Sequence, residues 1–289
     1  MSFILSADTS GDIFRSDMTA RGIAYKPLVY TIDGVAYQDN FSQDSEYKAF
    51  YDQIRAGKLP TTSQINTLEH EEFFESLLEK QEGDLLHITL SSGLSGTYEN
   101  ARLAAENVMQ KTGRKIYVVD SLGATISQRI VVDEAEALRN GGATAKEAAE
   151  TLAEFVKHVH TWFMPTDLMH LKRGGRVSGP AAYIATALNI KPIILIDSKG
   201  HLPVIKKLHG VPKGISHMVD LFKTTSAKKP HKFYIASADS DYAEDMLNKA
   251  KAARPDCEGE IGWIGPVIGS HTGSGAVGIS FVSDVERPY

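Results

Sequence analysis

The 289-residue sequence is poor in several things that would have announced a function. It has one cysteine, Cys257, which excludes an internal disulfide and a cysteine-based zinc site. No apolar run approaches the ~20 residues needed to cross a membrane as a helix. Basic residues are not in excess: the formal net charge is −5, so the electrostatic footprint of a nucleic-acid-binding protein is missing. Residues Met1 to Asp8 lack a basic region and a long apolar core, so no signal peptide is expected and the protein is expected to be cytoplasmic. There is no internal repeat, no low-complexity linker and no G-x-x-x-x-G-K-[ST] phosphate loop. What is there, 42% hydrophobic and 23% charged residues, is the composition of a globular protein, and the length suits two domains.

The chain is organised around His87-Ile88-Thr89-Leu90-Ser91-Ser92-Gly93-Leu94-Ser95-Gly96-Thr97-Tyr98. Leu85 to Leu90 reads as a buried strand, and the alanine-rich pattern after Tyr98 reads as a helix. Ser92 or Ser95 is placed to cap that helix, whose free first-turn N–H groups and dipole favour an anion.

Strands and helices alternate on either side of it. Phe3-Ile4-Leu5 starts a strand that runs into Asp8-Thr9-Ser10-Gly11-Asp12, and Ile23 to Ile32 is β-rich before the strong turn Asp33-Gly34. Helices are expected over 45–56 and 68–80, with Pro60-Thr61-Thr62-Ser63-Gln64 between them as a hydroxyl-rich loop. Ile116 to Val119 is a strand ending in Asp120-Ser121, followed by helices over 126–139 and 144–158. This alternation predicts a parallel α/β sheet whose carboxyl-end loops, at Asp8, Ser91-Ser92 and Asp120-Ser121, bind the ligand. After residue 158 the texture becomes α+β, with a hairpin formed by a strand over Leu188 to Ile196 and a second over His201 to Ile205. The expected domains are therefore 1–158, α/β, and 159–289, α+β with a mixed or antiparallel sheet.

Several motifs invite chemistry. Gly93-Leu94-Ser95-Gly96-Thr97 approaches the G-x-S-x-G nucleophile elbow but ends in threonine, leaving a serine-dependent hydrolase or acyltransferase using Ser95 or Ser92 as the alternative reading. Gly273-Ser274-Gly275-Ala276-Val277-Gly278 fits G-x-G-x-x-G, yet a strand follows and only eleven residues remain, too few for a dinucleotide-binding unit. His158, His160 and His170 have no companion carboxylates or cysteines and read as ordinary polar positions, so no metal site is expected. His271, in what reads as a glycine- and hydroxyl-rich loop, is a candidate ligand contact, and Lys172, Arg173 and Arg176 surround Gly174-Gly175 as a basic loop suited to anions.

Taken together, the sequence resembles the DegV family of bacterial fatty-acid-binding proteins. The matching stretches, in order, are Asp8 to Asp12, Thr62-Ser63-Gln64, Ser91 to Tyr98, Asp120-Ser121, Leu171-Lys172-Arg173-Gly174-Gly175-Arg176-Val177-Ser178, Leu188-Asn189-Ile190-Lys191-Pro192 and Ile268 to Gly275. The resemblance implies a two-domain α/β protein that buries one long-chain fatty acid and needs no other cofactor. It implies a carboxylate site at Thr62, Ser92, Gly93, Ser95 and His271, with Thr62 and Ser92 as the principal contacts. It also implies that the protein is not itself an enzyme but presents the acid to a separate fatty-acid kinase, in the service of phospholipid synthesis, with Arg173 and Arg176 in that encounter. One stretch departs from the pattern: where the family's basic K-x-R aligns, this chain has Lys207-Leu208-His209.

Overall fold

The computed structural model describes residues 3–177 and 190–288. Ser178, Leu188 and Asn189, which belong to two of the motifs above, lie outside the described residues. In chain order the strands are β1 (Ile4–Asp8), β2 (Ala24–Lys26), β3 (Val29–Ile32), β4 (Val35–Gln38), β5 (Thr61–Ser63), β6 (Leu85–Thr89), β7 (Ile116–Asp120), β8 (Val159–Met164), β9 (Ile190–Leu195), β10 (Val204–His209), β11 (Lys232–Ser237), β12 (Glu258–Trp263) and β13 (Val277–Val282). The helices are α1 (Arg15–Ala20), α2 (Asp44–Arg55), α3 (Thr67–Lys80), α4 (Thr97–Thr112), α5 (Ile126–Asn140), α6 (Ala145–Phe155), α7 (Leu168–Arg173), α8 (Val211–Thr225), α9 (Ala243–Ala253) and α10 (Pro266–Thr272).

The fold is mixed α/β. The first sheet is wholly parallel, in the order β2-β1-β6-β7. Every residue of β1 and β6 is buried, as expected of central parallel strands covered on both faces. Phe74, Leu77 and Leu78 of α3 and the alanines of α4 close one face against Ile4 and Leu85. The second sheet has the order β10-β9-β8-β13-β11-β12 and is mixed, with β11 and β12 parallel and the other pairs antiparallel. Helices α8 and α9 cover one of its faces. The β9–β10 pair is the expected hairpin.

Helix α5 is the shared wall. It touches β1 and β6 of the first sheet and β8, β11 and β13 of the second. Seven of its residues are buried, Ser127 and Gln128 among them. The largest core cluster therefore draws Leu5, Leu86 and Val131 together with Val159, Tyr234 and Val267, across the boundary placed near residue 158.

Two expectations need correction. Thr61-Thr62-Ser63 is not a loop but a short strand in a third, antiparallel sheet of order β4-β3-β5, with Thr62 opposite Tyr30. Two β-branched residues after a proline suit a strand, and β3 supplies the partner that short-range reasoning cannot see. The hairpin β3–β4 does turn at Asp33-Gly34, both with positive φ (51° and 81°), the signature of a type I′ turn. The second correction is that 266–272 is helix α10, with Pro266 in its first turn and Gly273 (φ 73°) ending it. Its β-branched residues and internal glycine give it little helical propensity, so packing of Val267 into the core outweighs the local preference.

Candidate functional site

The strand β5 and the last turn of α10 lie side by side and bring Thr62 to His271, with Thr62 Oγ1 at 2.8 Å from His271 Nε2. The C-terminus of α7 closes over the imidazole. A Cβ on Gly174 would lie 2.1 Å from His271 Nδ1, so only glycine lets the backbone approach this closely. Just beyond, the Arg176 Nε donates to the Leu94 carbonyl (3.2 Å), and its guanidinium also reaches the Gly174 carbonyl. Burial, and then the positive charge of Arg176, push the His271 pKa down to about 4, so the ring is neutral at physiological pH. Nδ1 is buried without a partner among the described residues. In the tautomer that donates from Nε2 to Thr62, the threonine hydroxyl keeps its own proton free for an incoming acceptor.

The turn between β6 and α4 supplies the other hydroxyls. Buried Ser91 organises it: its Oγ donates to the Gly200 carbonyl (3.1 Å) and accepts from the Gly93 amide (3.0 Å). Gly93 sits against the 199–200 backbone, where a Cβ would be 2.6 Å from the Lys199 carbonyl oxygen. Ser92 is exposed, and its amide donates to the Asp120 carboxylate at 3.2 Å. Ser95 accepts from the Thr97 amide (3.2 Å) and faces the interior. Gly96 occupies the cap position of α4, with the Gln64 side chain packed directly on it, and of the two serines only Ser95, one residue earlier, satisfies a first-turn amide.

Behind these groups lies a cavity of about 850 Å³, counting its open mouth. Its walls are apolar, from Leu28, Leu90, Leu94, Phe163, Ile196 and Leu202 among others. Thr62, Arg176 and His271 line both this cavity and a shallower outer depression shared with His170 and Arg173, so they mark the mouth. At the inner side Asp8 accepts from the Leu90 amide (2.8 Å) and from Gln128 Nε2 (2.9 Å), tying β1, β6 and α5 together. The arrangement can hold an amphiphile with an anionic head at the mouth and an apolar body within.

The family model described as "Uncharacterised protein, DegV family" matches residues 3–284. The chain belongs to the DegV family. A DegV domain-containing protein of Clostridium perfringens is 33% identical over 290 residues, covering 99% of each chain. Among solved structures, a DegV family protein of Thermus thermophilus described by its fatty acid binding aligns with a TM-score of 0.87 at 25% identity, over 98% of this chain and 100% of that one. DegV of Bacillus subtilis, described as a fatty acid binding protein, aligns with a TM-score of 0.86 at 29% identity, over 98% and 100% of the two chains. With 98% of this chain aligned in each case, the shared fold spans both sheets.

Against this DegV framework the expected site residues divide. Thr62 and His271 come together at the cavity mouth and Ser95 lines the cavity, while Ser92 and Gly93 are not among its lining residues. The Ser92 amide is instead held by the carboxylate of Asp120, 28 residues downstream. Arg176, expected on a partner-facing loop, is half-buried at the mouth, whereas Arg173 is exposed on the outer depression. Gln64 and Thr125 also line the cavity and were missed. The Thr-Ser-Gln run carried a signal for the first; no local signal marks the second.

Two features bear on the hydrolase reading. Among the described residues the Ser95 hydroxyl pairs only with Thr97, and the imidazole of His271 bonds Thr62. An activated serine needs a base within hydrogen-bond reach, and among the described residues neither Ser92 nor Ser95 bonds one.

Proposed function

We propose that this protein binds one long-chain fatty acid, its carboxylate at the mouth among Thr62, Ser95, Arg176 and His271 and its chain in the apolar cavity. The observation that carries the reading is the 2.8 Å Thr62–His271 pair at the opening of a cavity walled by leucine, isoleucine and phenylalanine. Each methylene buried there contributes ~0.8 kcal/mol, so the chain supplies most of the affinity and the head group sets the orientation. Neutral His271 orients the Thr62 hydroxyl toward the carboxylate, and Arg176 supplies the positive charge. The fatty-acid-binding character of the Thermus and Bacillus relatives supports the same reading. Replacing Thr62 by Val tests it: palmitate affinity falls about tenfold if a charge-assisted hydrogen bond is lost. An unchanged affinity would move the carboxylate elsewhere.

The second part of the proposal is presentation. Because Thr62, Arg176 and His271 face both the cavity and the outer depression, a carboxylate held by them is reachable from outside the protein. A separate kinase that docks on exposed Arg173 would convert it to an acyl phosphate, with this chain as carrier and not as catalyst. Reconstitution with a fatty-acid kinase subunit and ATP tests this. Arg173→Glu should slow acyl-phosphate formation while palmitate still binds; an unchanged rate would remove Arg173 from the encounter.

A further inference from the structure

Three threonines line the cavity away from its mouth. Thr161 Oγ1 lies 2.8 Å from Ser280 Oγ, and Thr272 Oγ1 donates to the Gly273 carbonyl at 3.3 Å. Thr125 is different. It is 7% exposed, its hydroxyl makes no hydrogen bond within the described residues, and the surface it retains faces the cavity.

Its backbone is also unusual. Thr125 occupies the N-cap position of the 15-residue helix α5, where a threonine ordinarily caps with its side chain, yet no such bond forms. Its φ of 54° and ψ of −132° are those of the first central residue of a type II′ turn, a place for glycine, and a β-branched residue there is strained. The turn closes through the Ser127 amide on the Ala124 carbonyl (3.3 Å), and the Thr125 amide is fixed on the Ser10 carbonyl (2.6 Å). Backbone strain combined with a hydroxyl that has no partner among the described residues, on a residue that lines a ligand cavity, is the pattern of a side chain kept for a ligand.

We infer that Thr125 is a second polar contact inside the cavity, matched to an oxygen substituent on the acyl chain, so that the site accepts oxygenated fatty acids such as hydroxy acids alongside plain ones. The inference rests on the fatty-acid reading above and adds to it a selectivity that the mouth residues cannot provide. An alcohol oxygen on the chain takes the hydrogen bond that Thr125 lacks, with the positive end of the α5 dipole behind it. A plain chain leaves that hydroxyl unpaired.

The test is a competition experiment on the full chain with stearate, 10-hydroxystearate and 12-hydroxystearate, read as the affinity ratio of hydroxy acid to stearate within each variant. Wild type should bind at least one hydroxy acid as tightly as stearate. Thr125→Val, of nearly the same shape, should lower that ratio about tenfold, the effect of one buried unpaired hydroxyl, and Thr125→Ser should restore it. Using a ratio removes any general damage to the cavity. If stearate binds but both hydroxy acids are rejected equally by wild type and Thr125→Val, the inference is overturned while the fatty-acid reading stands. If none of the three acids binds wild type, both fall.

Discussion

Gly174 offers a sharp test of how the mouth is built. A methyl group placed on it would lie 2.1 Å from His271 Nδ1, whereas ordinary van der Waals contact begins at 3.4 Å. In Gly174→Ala the imidazole must therefore shift by about 1.3 Å, which disrupts the geometry of the 2.8 Å hydrogen bond between Nε2 and Thr62. The backbone itself is not strained by the change, since Gly174 has an ordinary helical φ of −71°. Losing the bond costs ~0.5–1.5 kcal/mol, and leaving the Thr62 hydroxyl free to turn from the carboxylate brings the expected loss of palmitate affinity to about tenfold. Gly175→Ala is the control. Gly175 has φ 69° and nothing within 4 Å of an added Cβ, so the substitution costs about 1 kcal/mol of stability through backbone strain and leaves the imidazole in place. Titration calorimetry with palmitate separates the two. The reasoning fails if Gly174→Ala binds within twofold of wild type, or if Gly175→Ala loses as much.

Two further outcomes concern stability. Burial raises the carboxyl pKa of Asp39 to about 8, and burial followed by the proximity of Asp39 raises that of Asp12. The folded state then holds more protons than the unfolded chain above the ordinary value of 3.8, and stability falls as pH rises toward 8. Burial acts oppositely on His70, His160 and His271, whose values of about 4 mean that stability rises with pH up to the ordinary 6.5. Between pH 6.5 and 8 only the carboxyl effect remains, so the urea midpoint of wild type should drop across that window and that of Asp39→Asn should drop less, since buried Asp12 still contributes; parallel curves would refute it. Thr125→Gly relieves a strained backbone, which offsets the lost methyl burial, and should leave the melting temperature unchanged or higher. A loss of about 2 kcal/mol or more would show that Thr125 is not strained.

Much of the architecture is legible in the sequence because it is local. The largely apolar segments of β1 and β6 are short and buried throughout, as strands covered on both faces are, and Asp33-Gly34 can hardly be anything but a hairpin turn. What escaped depends on distant partners. Thr61–Ser63 becomes a strand because Val29–Ile32 lies beside it, and 266–272 becomes a helix because Val267 enters the core. The site divides the same way. The family resemblance groups Thr62, the serines of the 91–95 turn and His271, but that Thr62 bonds His271 and that Ser95 rather than Ser92 lines the cavity depend on how distant segments pack. Thr125 looks like any helix-capping threonine in the sequence; only its φ and its unpaired hydroxyl set it apart.

The central claim is that the cavity behind Thr62 and His271 holds a fatty acid, and the most direct measurement is native mass spectrometry of the purified protein followed by denaturation and analysis of what is released. The account predicts one fatty acid per chain, and a mass shift when added palmitate exchanges with it. A protein that emerges empty and takes up neither palmitate nor oleate would contradict the account.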